Sequence, residues 1–142
     1  MWVIVHVYVG LAIAAVTPTP RWAIALIVVA SHVLLDLVPH WDYTFARNLV
    51  IWGWVDFLLS LASLVVCFFA LGAPLWMLGM GILSGAPDFD VLISGLRGRD
   101  ARKWFPSHWR RFPHGRCAPL PGVTIQLVIV AVCAAVFVAA QT

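Results

Sequence analysis

Five long apolar runs dominate this 142-residue chain and restrict what it can fold into. Bounded by proline, glycine and charge, they lie at roughly residues 2–17, 22–38, 49–71, 75–96 and 121–140. A helix needs about 20 mostly apolar residues to cross the hydrocarbon core of a bilayer, so each run predicts a membrane span. The chain is 63% hydrophobic and 11% charged, which leaves too few polar residues to coat a soluble globule. We therefore predict an all-α, polytopic transmembrane bundle of about five spans, forming one domain over residues 1–142.

The connecting segments predict how this bundle is oriented. Two of them, residues 39–48 and 97–120, are long and polar, and with five spans both lie on the side of the N-terminus. They hold eight basic residues, namely Arg47, Arg97, Arg99, Arg102, Lys103, Arg110, Arg111 and Arg116, whereas the other face receives only Arg21. The positive-inside rule then places both loops and the N-terminus in the cytoplasm and the C-terminus outside. No Lys or Arg precedes the first run, so we expect a retained helix rather than a signal peptide.

All five histidines and all six aspartates fall on this cytoplasmic side. At ~1.5 Å of rise per helical residue, His6 and Asp56 on two different helices lie roughly 7–10 Å below that face. Buried carboxylates cost several kcal/mol unless they are paired or ligated, so a polar layer of this kind predicts a compensating cation or a function. The bland alternatives are a core histidine at His6, and at Asp56 a hydrogen bond to a tryptophan indole.

The strongest local pattern is His32-Val-Leu-Leu-Asp36-Leu-Val-Pro39-His40-Trp-Asp42. His32, Asp36 and His40 recur at i, i+4 and i+8, which keeps them on one helix face. Imidazole and carboxylate suit divalent ions, and an i, i+4 pair is the spacing by which helical motifs chelate zinc. Pro39 ends the regular helix and can turn His40 and Asp42 toward the site, although Asp42 also fits a simple turn. Zinc is the favoured ion, with manganese or magnesium as alternatives.

A second pattern, Gly85-Ala86-Pro87-Asp88-Phe89-Asp90, interrupts the fourth run. Carboxylates two residues apart point in different directions on a regular helix, but a break at Pro87 can let both face one cation. Irregular backbone at membrane depth is tolerated where it lines a polar cavity. We predict Asp88 and Asp90 as metal ligands, with His6 as a further ligand.

A third pattern, residues 104–116, mixes aromatic rings with His108, His114, Arg110, Arg111 and Arg116. Arginine forks suit phosphate oxygens, so the arginines are candidate substrate-binding residues. Either histidine can protonate a leaving oxygen, and we group them with Asp56 as candidate catalytic residues. Topology alone also explains positive charge here, and anionic lipids attract it. In the same loop, Asp100 is expected to cap a short helix.

These residues resemble two known groups of proteins. The spacing His32-x3-Asp36-x2-Pro39-His40 is similar to the H-x3-D element of zinc-dependent phospholipases C and S1/P1-type nucleases, with one residue fewer between Pro and His. The chain also resembles the YdjM-type family of small bacterial inner-membrane proteins, described as metal-dependent hydrolases, with Pro87-Asp88-Phe89-Asp90 as its Pro-Asp-x-Asp element. The resemblance implies His32, Asp36, Asp88 and Asp90 as metal ligands.

Three hypotheses follow from the sequence. The first is a hydrolase of the bacterial inner membrane that acts at the cytoplasmic face on a phosphoester, with a lipid-linked one as a candidate. The second is a metal or proton transporter, although the outer half of the bundle has no matching polar residues. The third is a non-catalytic membrane assembly subunit. Membrane lipids are expected partners and a homo-oligomer is allowed, whereas a net charge of +3 is too small to suggest nucleic acid.

Overall fold

A computed structural model describes residues 1–43, 48–97 and 102–142 of the chain. The described part is helical apart from its loops, and a single-residue bridge joins His40 to Arg116. Six α-helices follow in order: α1 Val3–Val16, α2 Arg21–Leu37, α3 Leu49–Leu71, α4 Leu75–Gly85, α5 Phe89–Arg97 and α6 Pro119–Ala139. Two 3₁₀ helices, Ala86–Asp88 and Pro106–His108, complete the set. The prediction of an all-α fold is confirmed, and four of the five predicted runs match helices within one or two residues at each end.

The fourth run is interrupted where the sequence predicts. Its helix ends at Gly85, the 3₁₀ turn Ala86–Asp88 carries Pro87, and α5 resumes at Phe89. Pro87 has no N–H to donate, and its ring disfavours a continuous α-helix at this point. The break therefore places Asp88 in the 3₁₀ turn and Asp90 in the first turn of α5.

Three stretches of the described chain are long and apolar enough to cross a membrane: Leu49–Leu71, Leu75–Arg97 and Pro119–Ala139. Only 22%, 33% and 17% of their most apolar windows are buried inside the protein, so most of their apolar surface faces outward, as lipid-facing helices require. The 14-residue α1 and the 17-residue α2 are shorter than the ~20 residues that a span needs. A count of five spans and the orientation of the termini thus remain predictions.

Helix α1 lies at the centre of the bundle, where it contacts α2, α3, α4 and α6. Half of its residues are buried. Its closest neighbour is α4, because a Cβ on Gly10 would lie only 2.7 Å from the carbonyl oxygen of Met80 and 2.8 Å from Cβ of Ser84. Glycine at this position lets the two backbones approach closely, as in membrane helix pairs generally.

The loop before α6 is fastened to the end of α2 by the backbone. Gly115 donates its N–H to the carbonyl of Asp36 at 3.0 Å, and its own carbonyl accepts the N–H of His40 at 3.0 Å. A Cβ on Gly115 would collide with the carbonyl oxygens of Leu37 and Val38. Only glycine allows this approach, which places residues 106–118 over the polar end of the bundle. Arg47, Arg99 and Asp100, which the sequence assigns to the loops, lie outside the described residues.

Candidate metal centre

Polar side chains from three parts of the fold meet at one end of the bundle. His32 and Asp36 occupy the last two turns of α2, Asp88 lies in the break after α4, and His108 ends the second 3₁₀ helix. His32 and Asp36 are fully buried and His108 is 8% exposed. We call these four residues the tetrad.

The two Nε2 atoms of the tetrad lie within 3.9 Å of each other and of one oxygen from each carboxylate. Nε2 of His32 lies 3.4 Å from Nε2 of His108, and these nitrogens lie 3.5 and 3.6 Å from Oδ2 of Asp36. Oδ1 of Asp88 lies 3.3 Å from Nε2 of His108 and 3.9 Å from Nε2 of His32. Donors at 2.0–2.1 Å from one Zn²⁺ are separated by about 3.3 Å, so these nitrogen–nitrogen and nitrogen–oxygen spacings are near those of a zinc site. The ligand atoms of His32, Asp88 and His108 all lie within 4.8 Å of one another.

Both histidines of the tetrad have a fixed ring orientation. Nδ1 of His32 lies 2.7 Å from the carbonyl oxygen of Ser84, which can only accept, so this nitrogen carries the proton. Nδ1 of His108 lies 2.6 Å from Oδ1 of Asp90. Metal-bound histidines commonly donate their second N–H to a carbonyl or carboxylate in this way. The two Nε2 atoms, which would be the ligand atoms, consequently face one point.

A second group of polar residues adjoins the tetrad through the other oxygens of its carboxylates. Nε2 of His6 lies 3.7 Å from Oδ1 of Asp36 and 3.7 Å from Oδ2 of Asp88, and its ring stacks on His32 with centroids 3.8 Å apart. The amino group of Met1 pairs with Oδ1 of Asp36 at 3.1 Å.

His40 and His114 complete this second group. Ligand atoms of Asp36, His40 and His114 lie within 4.8 Å of one another. Nδ1 of His40 donates to the carbonyl of Val38 at 2.7 Å, so its Nε2 has a lone pair for a ligand. Asp36 is therefore placed between two sets of possible ligands.

Unsatisfied buried atoms indicate that the cluster fits a cation. Among the described residues, neither ring nitrogen of His6, nor Nε2 of His40, nor Oδ2 of Asp88 has a hydrogen-bond partner, although all four atoms are buried. Such atoms cost about 1–3 kcal/mol each when they are left unpaired. A divalent ion at the cluster would satisfy acceptors of this kind and offset the buried carboxylate charge.

The loop histidines differ in their proton affinity. Burial lowers the pKa of His108, but hydrogen bonds and charges from Asp88 and Asp90 outweigh it and raise the pKa to about 9. Burial lowers the pKa of His40 and of His114 below the ordinary histidine value. At neutral pH without metal, His40 and His114 are therefore neutral, whereas His108 carries a proton on both nitrogens.

Several predicted site residues occupy other positions. Asp90 contacts the tetrad only through His108, because its Oδ1 accepts from that ring and its Oδ2 accepts the N–H groups of Trp104 and Phe105 at 2.8 and 2.6 Å. Asp42 lines a cleft beside the tetrad and belongs to none of the ligand groups found in the described residues.

Asp56 caps the central helix. Its carboxylate accepts the backbone N–H groups of Val3 and Ile4 at 2.6 and 3.1 Å and the hydroxyl of Tyr43 at 3.0 Å. These contacts explain a structural role for Asp56. The candidate substrate-binding residues Arg110, Arg111 and Arg116 are exposed on the loop.

Three residues of the site escaped sequence reasoning. Ser84 contributes its backbone carbonyl, which any residue could supply, so the identity of this residue does not reveal its contact with His32. Ser107 donates its hydroxyl to Oδ2 of Asp36 at 2.7 Å, and its position next to His108 in the 3₁₀ turn could have suggested it. Lys103 lines the cleft beside the tetrad. From the sequence, Lys103 contributes only to the positive charge that predicts a cytoplasmic loop.

Comparison of the chain with protein-family models, with curated proteins and with solved structures gives no match.

Proposed function

We propose that this chain is a metal-dependent hydrolase embedded in the bacterial inner membrane, which cleaves a phosphoester at the cytoplasmic face. The observation that carries the proposal is the tetrad, in which two oriented Nε2 atoms lie 3.4 Å apart and each lies within 3.9 Å of one oxygen from each of two carboxylates. Zinc matches the nitrogen and oxygen donors best, with manganese or magnesium as alternatives. Five spans with the N-terminus inside would bring the site and its basic loop to the cytoplasmic face.

Within the tetrad, His32 and His108 would bind the cation through Nε2, and Asp36 and Asp88 through one oxygen each. A bound divalent cation supplies Lewis acidity, which polarises a phosphoryl oxygen and lowers the pKa of water. The carbonyl of Ser84 holds the ring of His32, and the loop that carries His108 is held by Asp90. The opposite oxygens of Asp36 and Asp88 face His6, an arrangement that would suit a second ion.

Proton transfer in the proposed reaction falls to His114. Nδ1 of His108 contacts Asp90, and its Nε2 faces the other residues of the tetrad. His114 is therefore the loop histidine that remains for general acid–base catalysis. Burial lowers the pKa of His114, so at neutral pH it can accept a proton from the attacking water. Water adds to phosphorus on the side opposite the leaving oxygen, the bond to that oxygen breaks, the leaving oxygen takes a proton from solvent, and His114 releases its proton to solvent. Lys103 and the exposed arginines would attract the anionic group.

Elemental analysis of the detergent-purified protein tests the proposal without a substrate. We expect at least one equivalent of zinc, manganese or magnesium in the wild type, and loss of that metal in His32→Ala and Asp88→Asn. Asp42→Asn is the matched control, since this carboxylate lies outside the ligand groups and its variant should retain the metal. Hydrolysis of bis(p-nitrophenyl) phosphate and of lysophosphatidate by the metal-loaded protein then tests the reaction.

A metal content that is negligible in the wild type and unchanged in His32→Ala would refute the metal site. Bound metal without hydrolysis, together with metal flux in liposomes that His32→Ala abolishes, would favour a transporter. Full cellular function in Asp36→Ala and Asp88→Asn would favour a non-catalytic assembly subunit. Size-exclusion chromatography with light scattering decides whether the chain forms a homo-oligomer.

A further inference from the structure

A cleft runs between α3 and α5 and has largely apolar walls. The walls include Leu49, Gly53, Phe57, Phe89, Leu92 and Gly95. Each wall carries a glycine directed at the other helix: a Cβ on Gly53 would lie 3.3 Å from Leu92, and one on Gly95 would lie 3.3 Å from Leu49. Glycine at these two points lets Leu92 and Leu49 pack closely against the opposite wall, so a larger side chain would push these leucines into the cleft or force the walls apart.

The cleft continues into the candidate metal centre. Asp88, His108 and His114 line its polar end together with Lys103 and Asp42. A molecule in the cleft would thus touch the tetrad at one end and only apolar side chains along its length. Lys103 adds positive charge beside the tetrad, which matches an anionic group placed there.

Both walls belong to stretches long enough to cross a membrane, Leu49–Leu71 and Leu75–Arg97. Phe89 lines the cleft and is itself 41% exposed, and Leu96, about two turns further along α5, is 61% exposed. At Phe89, therefore, the wall of the cleft meets the apolar outer surface of the bundle, which would lie at bilayer depth. An apolar chain can enter from the side without crossing water.

We propose that this cleft binds the apolar chain of a single-chain anionic amphiphile and presents its phosphate to the tetrad. The placement of the phosphate rests on the proposed function, whereas binding of the chain does not. The combination of an apolar channel, a lysine and a metal-type cluster matches a phosphate head with one hydrocarbon tail. The substrate class is thereby a lysophospholipid-like or isoprenoid-like phosphate rather than a water-soluble phosphoester.

Photo-crosslinking tests this inference. The full chain is reconstituted in phosphatidylcholine nanodiscs and treated with lysophosphatidate that carries a diazirine in its acyl chain, and the labelled peptides are mapped by mass spectrometry. We expect saturable labelling concentrated on residues 49–57 and 89–96, with unlabelled lysophosphatidate as a competitor. A monoacylglycerol probe with the same chain should label this region roughly tenfold less at equal concentration, since it lacks the charge.

Variants at the two glycines provide the controls. Gly53→Leu and Gly95→Leu fill the cleft from opposite walls and should each reduce labelling roughly tenfold. Gly79→Leu is matched to them, because Gly79 lies in α4 and a Cβ there would meet nothing within 4 Å, and it should label like the wild type. A cooperative thermal unfolding transition in detergent shows that a variant is folded, and the wild-type map decides the question if one variant fails to fold.

Labelling spread over the outer faces of α3 and α6, or labelling that both glycine variants leave unchanged, would overturn the inference. The two proposals fail separately. If the protein holds no metal, labelling of the cleft still supports chain binding while the hydrolase proposal falls. If the protein holds metal and the cleft is not labelled, the inference alone is wrong.

Discussion

Asp90 accepts the Nδ1 proton of His108 at 2.6 Å, and this contact directs Nε2 of the same ring toward Nε2 of His32. Asp88 and Asp90 thus lie on opposite sides of one imidazole. The sequence suggests two carboxylates that bind one ion, whereas in the structure Asp88 faces Nε2 of His108 and Asp90 holds the opposite nitrogen of the same ring.

Replacing Asp90 should weaken metal binding without abolishing it. Asp90→Asn keeps an acceptor for the N–H groups of Trp104 and Phe105 but removes the charge that stabilises the His108 ring. Loss of such a partner typically costs 10- to 100-fold in metal affinity, and we expect a reduction of about that size. Titration against a competing chelator measures it. An affinity equal to that of the Asp42→Asn control would contradict the assigned role.

Metal affinity should fall as the pH is lowered from about 9 toward 7. In the metal-free protein the pKa of His108 is raised to about 9, so below that pH the ion must displace a proton. For one displaced proton, the affinity falls about tenfold per pH unit. The lowered pKa values of His40 and His114 place their protonation at more acidic pH, where they would add to the effect.

Calorimetric titration at pH 7.5 in buffers of different ionisation enthalpy counts these protons. We expect roughly one proton released per ion in the wild type. Binding that releases no proton at this pH would show that His108 is not a ligand.

A side chain at position 115 should separate the loop from the bundle. In Gly115→Ala the new Cβ meets the carbonyl oxygens of Leu37 and Val38, so the loop must move and take His108 with it. Crowding of this kind costs roughly 1–3 kcal/mol. Thermal unfolding in detergent should occur at lower temperature, with reduced metal content. Gly79→Ala, in open space on a helix, should be neutral or slightly stabilising, and equal behaviour of the two variants would argue against the close approach.

Asp56 should contribute to stability and not to metal binding. Asp56→Ala leaves the N–H groups of Val3 and Ile4 without an acceptor, and loss of a helix cap typically costs 0.5–2 kcal/mol. We expect a lower unfolding temperature with unchanged metal stoichiometry. Metal loss at a temperature where the variant is still folded would instead support the catalytic role suggested by the sequence.

Lys103 should matter more than the exposed arginines for an anionic ligand. Lys103→Gln removes the positive charge that lines the cleft, and we expect the concentration of lysophosphatidate probe needed for half-maximal labelling to rise about tenfold. Arg110→Gln is the matched control, because Arg110 is exposed, and its effect should stay within about twofold. A larger increase in the half-maximal probe concentration for Arg110→Gln than for Lys103→Gln would assign phosphate recognition to the arginine-rich segment.

The sequence predicts helix positions well because apolar periodicity and proline mark them directly. It also predicts His32, Asp36 and Asp88 as neighbours, since their depth along helices follows from rise per residue. The sequence also predicts that the first two helices are short, because proline and charge bound these runs at residues 2–17 and 22–38, and the structure gives helices of 14 and 17 residues.

The role of His108 lay beyond sequence reasoning for a physical reason. The position of His108 depends on backbone hydrogen bonds between Gly115 and the end of α2. Pairing between segments so far apart in the chain produces no recognisable residue spacing in the sequence. The same is true of the carbonyl of Ser84, because every residue has one. The contacts of Asp56 with Val3 and Ile4 were equally out of reach, since a buried carboxylate that caps a helix from another helix has the same sequence pattern as one with a chemical role.

The attachment of the loop at Gly115 has an evolutionary consequence. Because the loop is fixed by backbone atoms at residues 36–40 and by Asp90 at Trp104 and Phe105, residues 109–113 form an exposed tip between two anchors. Relatives of this chain could exchange that tip for one of another charge or length while the ligands beneath it keep their places. Under the proposed function, selectivity for different headgroups would then diversify without a change in the proposed metal ligands.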